Sequence, residues 1–177
     1  RTSGRSVKPL PSYPAMGRPL HLDLSVKQIH LSPIRPSVKG MSGFILDPRL
    51  AADSRAIGVS QHCDIRLMSD SRFLWLVLVP QYADMVEWHD LPDDIGAGLF
   101  DEVRMAARWV KSFHNCDKMN IGALGNQVAQ LHVHVIGRHV GDAAWPDPVW
   151  GKGPGVAYAE SEAQRVVTAC RSALSLG

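Results

Sequence analysis

Apolar residues recur along this chain with two different periods. In "CDIRLMSD" (residues 63–70), Ile65 and Leu67 alternate with Asp64, Arg66 and Met68, which predicts a strand with one buried face. "FLWLVLVP" (residues 73–80) is an unbroken apolar run closed by a proline, which predicts a central strand covered on both faces. Ser69, Asp70, Ser71 and Arg72 lie between the two and supply hairpin-loop chemistry. The period then changes. Ile95, Leu99, Val103, Ala106 and Val110 fall at helical spacing, and Phe100 and Ala107 widen the stripe. Pro92, Asp93 and Asp94 suit the start of this long helix and Asn115 its end. "KMNIGALGNQVA" gives a short strand and a glycine-bearing loop, and "QLHVHVIGRH" gives the next strand. "VGDAAWPDPVWGKGPGV" is irregular. A last helix is expected over residues 159–174, with Val166, Val167, Cys170 and Leu174 as its stripe. A short helix is expected within "DPRLAADSRAIG" (residues 47–58), ahead of Gly58. Strands, a long helix, strands and a helix in that order predict an α+β fold. Its sheet would be mostly antiparallel, with the long helix packed on one face and a C-terminal helix beside it.

Composition divides the chain near residue 40. Half of the 12 prolines fall in residues 1–40, at Pro9, Pro11, Pro14, Pro19, Pro33 and Pro36. Proline removes a backbone donor and interrupts regular elements. Residues 1–40 are therefore expected to be an extended or disordered extension, or a segment foreign to the domain. Met41 opens "MSGFILDPRLAAD" like a natural start, and residues 41–177 are expected to form the domain.

Charge alters this little. The formal net charge is +2, which argues against a nucleic-acid coat. Cys63, Cys116 and Cys170 are far apart, odd in number and form no CxxC pair, so three free thiols in a reducing compartment are expected. No apolar run approaches the ~20 residues of a membrane helix, and no secretory signal opens the chain. The expectation is a cytoplasmic protein with no membrane and no nucleic-acid partner.

Candidate chemistry gathers in "AQLHVHVIGRH" (residues 129–139). Strand side chains alternate, so Gln130, His132 and His134 share one face and Leu131, Val133 and Val135 the other, toward the long helix. Two imidazoles would sit roughly 6.5–7 Å apart at the Cα level. A polar outer face on a half-exposed strand is one reading. Metal binding is a second, because His-x-His can give two zinc ligands, but no HExxH or cysteine pair offers a third. Nucleophilic catalysis is the third. A neutral imidazole can attack phosphorus, its reference pKa of ~6.5 leaves much of it unprotonated at neutral pH, and a backbone carbonyl can fix the ring whatever side chain its residue bears. A second imidazole can then stabilise phosphate charge or move a proton. Just upstream, Gly122 and Gly125 allow backbone N–H groups to approach an anion, and Asn120, Asn126 and Gln127 add neutral donors.

With these residues in view, "NIGALGNQVAQLHVHVI" resembles the signature of the histidine triad (HIT) superfamily of nucleotide hydrolases and transferases, His-φ-His-φ-His-φ-φ after a phosphate-contacting loop. The resemblance spans residues 41–151. It includes the strand–turn–strand "LMSDSRFLWLVLVPQ", and "DAAWPDPVWG" is similar to a bacterial HIT-like subgroup. It implies that His132 is the nucleophile and that His134 assists at the phosphate and leaving group. Asn120, Gly125, Asn126 and Gln127 would contact phosphate, and Asp70 would lie near the ribose-binding acid. The implied activity is cleavage of a nucleotidyl phosphoanhydride or phosphoramidate, such as a dinucleoside polyphosphate, through a nucleotidyl-histidine. It implies no resident cofactor, although Mg²⁺ could accompany a polyphosphate, and it implies a homodimer. Gln130 stands where the first histidine would be. That departure leaves a rival reading, a non-catalytic nucleotide-binding or sensor module. Trp145 and Trp150 could close over a base or pack. Arg138 has the parity to reach a phosphate, although a surface position is the simpler expectation.

Overall fold

The computed structural model describes residues 43–177; the expectation for residues 1–40, and the start at Met41, lie outside the described residues. Nine short stretches carry the fold. Helix α1 (Pro48–Asp53) begins with proline at its first turn, and Asp47 caps it by accepting a hydrogen bond from the Arg49 backbone N–H. It runs straight into strand β1 (Ser54–Val59). Strands β2 (Cys63–Met68) and β3 (Leu74–Pro80) follow, then a single 3-10 turn (Trp88–Asp90). Helix α2 (Asp93–His114) comes next, then β4 (Lys118–Gly122), β5 (Val133–Arg138) and α3 (Glu160–Ala173). The five strands form one sheet in the order β1-β2-β3-β5-β4, and every pairing is antiparallel. The α+β architecture is therefore the expected one.

Register sorts the side chains onto two faces. Val77 sits opposite His134, and Gly122 sits opposite His134 on the other side of β5. His134, Ile136 and Arg138 therefore share a face with Trp75, Val77, Asn120 and Gly122. The other face carries Leu74, Leu76, Leu78, Val133 and Val135, on which Leu99, Val103, Ala106 and Val110 of α2 pack. Val166, Val167 and Cys170 of α3 extend this core toward β1 and β2. Gly137 lets α2 come close, because a Cβ there would lie 2.9 Å from Val110 Cγ1 and 3.3 Å from Cys116 Sγ. α2 also ends as its sequence suggested: Asn115 takes the left-handed conformation, φ 46°, that closes a helix.

The histidine face is not a wet face. A second apolar cluster covers it, with Trp75, Val77, Val79 and Ile136 from the sheet and Leu50, Phe73, Ala144 and Val149 from outside it. Phe44 and Leu46 pack on the same cluster. The segment before α1 and the loop after β5 thus form a lid over strands that parity alone would leave half-exposed. Two sequence expectations need correction. The run before Gly58 is not only a helix, because β1 follows α1 without a turn. Strand β5 also starts at Val133, so Gln130, Leu131 and His132 form its lead-in, anchored where the Leu131 N–H donates to the Met85 carbonyl at 2.9 Å.

Candidate active site

His132 is set by the backbone. Its Nδ1 lies 2.7 Å from the carbonyl oxygen of Gln130. A carbonyl only accepts, so Nδ1 carries the hydrogen and Nε2 keeps a bare lone pair. The ring is only 6% exposed, yet it lines a cleft. Val86, Glu87, Ala123, Leu124, Gly125 and Leu131 line it with His132. Gly125 has φ 69°, a conformation open to glycine at little cost. A Cβ at Gly125 would meet only the Val128 carbonyl oxygen, at 3.8 Å.

His134 is held differently. The indole N–H of Trp75 donates to its Nδ1 at 2.9 Å. The His132 and His134 ring centroids are 4.9 Å apart, nearly perpendicular at 86°. Trp75 and Trp150 close the other sides of His134 at 5.3 Å and 5.6 Å. Burial, with the charge of His132 second, pushes the His134 pKa down to about 3. This ring is neutral at any ordinary pH.

Gln130 lies beside the histidines in sequence, but its amide faces elsewhere. Its Oε1 accepts from the Asp47 N–H at 2.9 Å, and its Nε2 donates to the Ile45 carbonyl at 2.9 Å. A primary amide can bond a backbone donor and acceptor together as a neighbouring strand would. The segment ahead of α1 is fastened this way, and Arg49 Nη1 adds a bond to the Gln127 carbonyl at 2.8 Å. Gln130 was expected among the catalytic residues with His132 and His134; its side chain instead ties the covering segment to the histidine lead-in.

The remaining expected residues divide. Gly125 reaches the cleft, and Asn126 and Gln127 are exposed on the loop that follows it. Asn120 shares the histidine face, but its Oδ1 accepts from Arg138 Nη1 at 2.6 Å and its Nδ2 donates to the Met119 carbonyl. Arg138 is no surface residue; it is 1% exposed and paired with Asp142 at 2.7 Å. That bond holds the Asp142 carboxyl down at about 2. Asp70 lies past the end of β2, in the turn that leads to β3. Its carboxylate accepts from Arg72 and from the Val156 N–H, which pins the late loop to the β2–β3 turn. Trp145 stacks near Arg138, and Trp150 packs beside Trp75. Sequence reasoning missed Trp75 as a hydrogen-bond donor, as well as the cleft residues Val86 and Glu87. A signal for Trp75 was present: an indole N–H on a fully buried strand needs an acceptor.

Comparison with known proteins agrees with this geometry. The HIT domain model matches residues 49–141. A histidine triad protein from Sinorhizobium meliloti 1021 is 44% identical, with 75% of this chain and 98% of that one covered and a TM-score of 0.73. This chain belongs to the histidine triad family. Two other HIT structures are similar. One from Bradyrhizobium japonicum is 41% identical over 74% of this chain and 98% of its own, with a TM-score of 0.73. One from Marinobacter aquaeolei VT8 is 41% identical over 75% of this chain and 96% of its own, also at 0.73. No curated protein matches the chain. Among the described residues, no group of three or more His, Cys, Asp or Glu stands together as a metal site, and no helix is long and apolar enough to cross a membrane.

Proposed function

We propose that this HIT protein is a nucleotidyl hydrolase or transferase that works through a nucleotidyl-His132 intermediate. The observation that carries the reading is the bond from His132 Nδ1–H to the Gln130 carbonyl, which leaves Nε2 without a proton on a residue that lines the small cleft beside Gly125. In the first step the Nε2 lone pair forms a bond to the α-phosphorus. The bond to the leaving group breaks, and its electron pair departs with that group. The ring gains positive charge, which the Gln130 carbonyl stabilises through Nδ1–H. In the second step water attacks phosphorus, the N–P electrons return to Nε2, and one proton passes to solvent.

In this reading the N–H groups around Gly125, with Asn126 and Gln127, donate to the α-phosphate. His134 supplies one more hydrogen bond from Nε2. Gln130 acts as a positioning residue and not as a phosphate ligand. The chemistry needs no resident metal; Mg²⁺ enters only as the companion of a polyphosphate. β4 is a sheet edge, and Ile121 on it is 50% exposed, so a homodimer formed along that edge belongs to the reading. The buried, unpaired thiols of Cys63, Cys116 and Cys170 suit a reducing, cytoplasmic setting.

Rapid mixing with a dinucleoside polyphosphate tests the proposal. Enzyme action gives a burst of leaving nucleotide equal to the protein present, followed by slower turnover, and His132→Ala abolishes both. Saturable binding without release of any product would instead support the sensor reading.

A further inference from the structure

His134 is locked in one protonation form by a residue outside the histidine motif. Indole N–H is a donor only, so its bond to Nδ1 obliges that nitrogen to present its lone pair. The single proton of the neutral ring then sits on Nε2. Trp75 cannot easily turn away. It is 7% exposed, lies opposite Ile136 in the sheet and meets the Trp150 ring at right angles. His132 is the titratable neighbour whose charge reaches His134, and that charge opposes protonation.

A histidine in this state can donate a hydrogen bond but cannot give up a proton. Losing the Nε2 proton would make an imidazolate. Taking a second proton, which would turn the ring into an acid, requires Nδ1 to abandon Trp75. The distinction matters for the leaving group. A phosphate chain departs with the electron pair as a stable anion and needs only charge stabilisation. An amine leaves a P–N bond only when its nitrogen is protonated.

We propose that Trp75, by fixing His134 as an Nε2–H donor, restricts this site to substrates whose leaving group departs as an anion, that is, nucleotidyl phosphoanhydrides in preference to phosphoramidates. The inference rests on the nucleotidyl-transfer reading above and narrows it. In the favoured reaction the N–P bond to His132 forms, the P–O bond breaks with both electrons on the leaving oxygen, and no proton is transferred. Trp75 is a positioning residue and touches no substrate.

Two measurements test it. Nitrogen NMR of the wild-type protein, with His134 assigned, reads the tautomer directly. Nδ1 is expected to be unprotonated and Nε2 protonated from about pH 5 to about pH 8, with no titration in that range. Trp75→Phe is expected to free the ring's tautomer, so that a proton appears on Nδ1, whereas Trp150→Phe, which removes packing but not the hydrogen bond, is not. The second measurement compares diadenosine tetraphosphate with adenosine 5′-phosphoramidate, so that base recognition cancels. The amidate is expected to react more slowly by the ~10²-fold or more that proton transfer contributes, and Trp75→Phe is expected to narrow that ratio. A wild-type His134 that is protonated on Nδ1, or that titrates near neutrality, overturns the lock. Equal or preferred turnover of the amidate overturns the substrate restriction and leaves nucleotidyl transfer standing. If neither substrate yields nucleotidyl-His132, the underlying reading fails and the restriction fails with it.

Discussion

His132 Nδ1 and the carbonyl oxygen of Gln130 are 2.7 Å apart, so the proposed nucleophile is oriented by the main chain of the very residue whose side chain breaks the histidine series. The side chain at position 130 is thereby free for another task, bridging the Ile45 carbonyl and the Asp47 N–H.

Restoring the third histidine is therefore expected to harm the protein. An imidazole cannot reproduce a two-way amide bridge. Gln130→His should lose about 1–2 kcal/mol of stability by denaturant unfolding, the worth of two modest hydrogen bonds. It should bring no gain in single-turnover rate. A faster variant would show that the first histidine acts through its side chain here too.

His134 makes stability depend on pH in a defined direction. Its folded pKa, about 3, lies below the value of an unfolded histidine. The unfolded chain thus binds the extra proton first as pH falls. Stability from this group is fully present above about pH 6.5 and declines by ~1.4 kcal/mol per pH unit from there toward about pH 3. His134→Asn removes that slope. Unfolding free energies of the two proteins at several pH values give the difference directly, and parallel curves would contradict the burial argument.

Arg138 and Asp142 should matter for folding and not for substrate. The pair is buried, and removing one partner strands the other charge. Arg138→Ala is expected to cost about 3–5 kcal/mol, read as a fall in Tm. The depressed Asp142 carboxyl adds stability that is present above about pH 4 and is lost as pH falls through about 2. An Arg138→Ala protein of unchanged Tm but weakened nucleotide affinity would restore the phosphate role that its parity suggested.

Asp70 gives a sharper contrast. Its carboxylate is engaged by Arg72 and the Val156 N–H. Asp70→Ala should lower Tm and raise proteolytic cleavage in the loop after Val149, with the KM for nucleotide unchanged. A raised KM at unaltered Tm would mark it as a ribose ligand after all.

Much of this architecture is written in local pattern. Helix α2 declares itself through Leu99, Val103, Ala106 and Val110, and β3 through its unbroken apolar run. The histidine pair is legible because Val133 and Val135 must face the helix. What parity could not show is what lies over the other face. Phe44, Leu46 and Leu50 arrive there from a segment about eighty residues earlier in the chain, and the anchoring of Gln130 follows from that tertiary packing, while Arg138 is enclosed by Asp142, Asn120, Phe73 and Trp145. β1 was hidden because Ser54 continues α1 without a turn signal. Asp70 was legible as a turn residue, but a turn aspartate has the same sequence signature whether it binds a ribose or its own neighbouring N–H.

The nucleophilic role of His132 is the claim on which the rest depends. Intact-protein mass spectrometry after a brief reaction with diadenosine tetraphosphate, quenched in alkaline denaturant to spare the N–P bond, tests it most directly. One nucleotidyl group per chain, mapped to the peptide bearing His132 and missing from His132→Ala, is the expected result. Undiminished turnover by His132→Ala, or an adduct on any other residue, would contradict it.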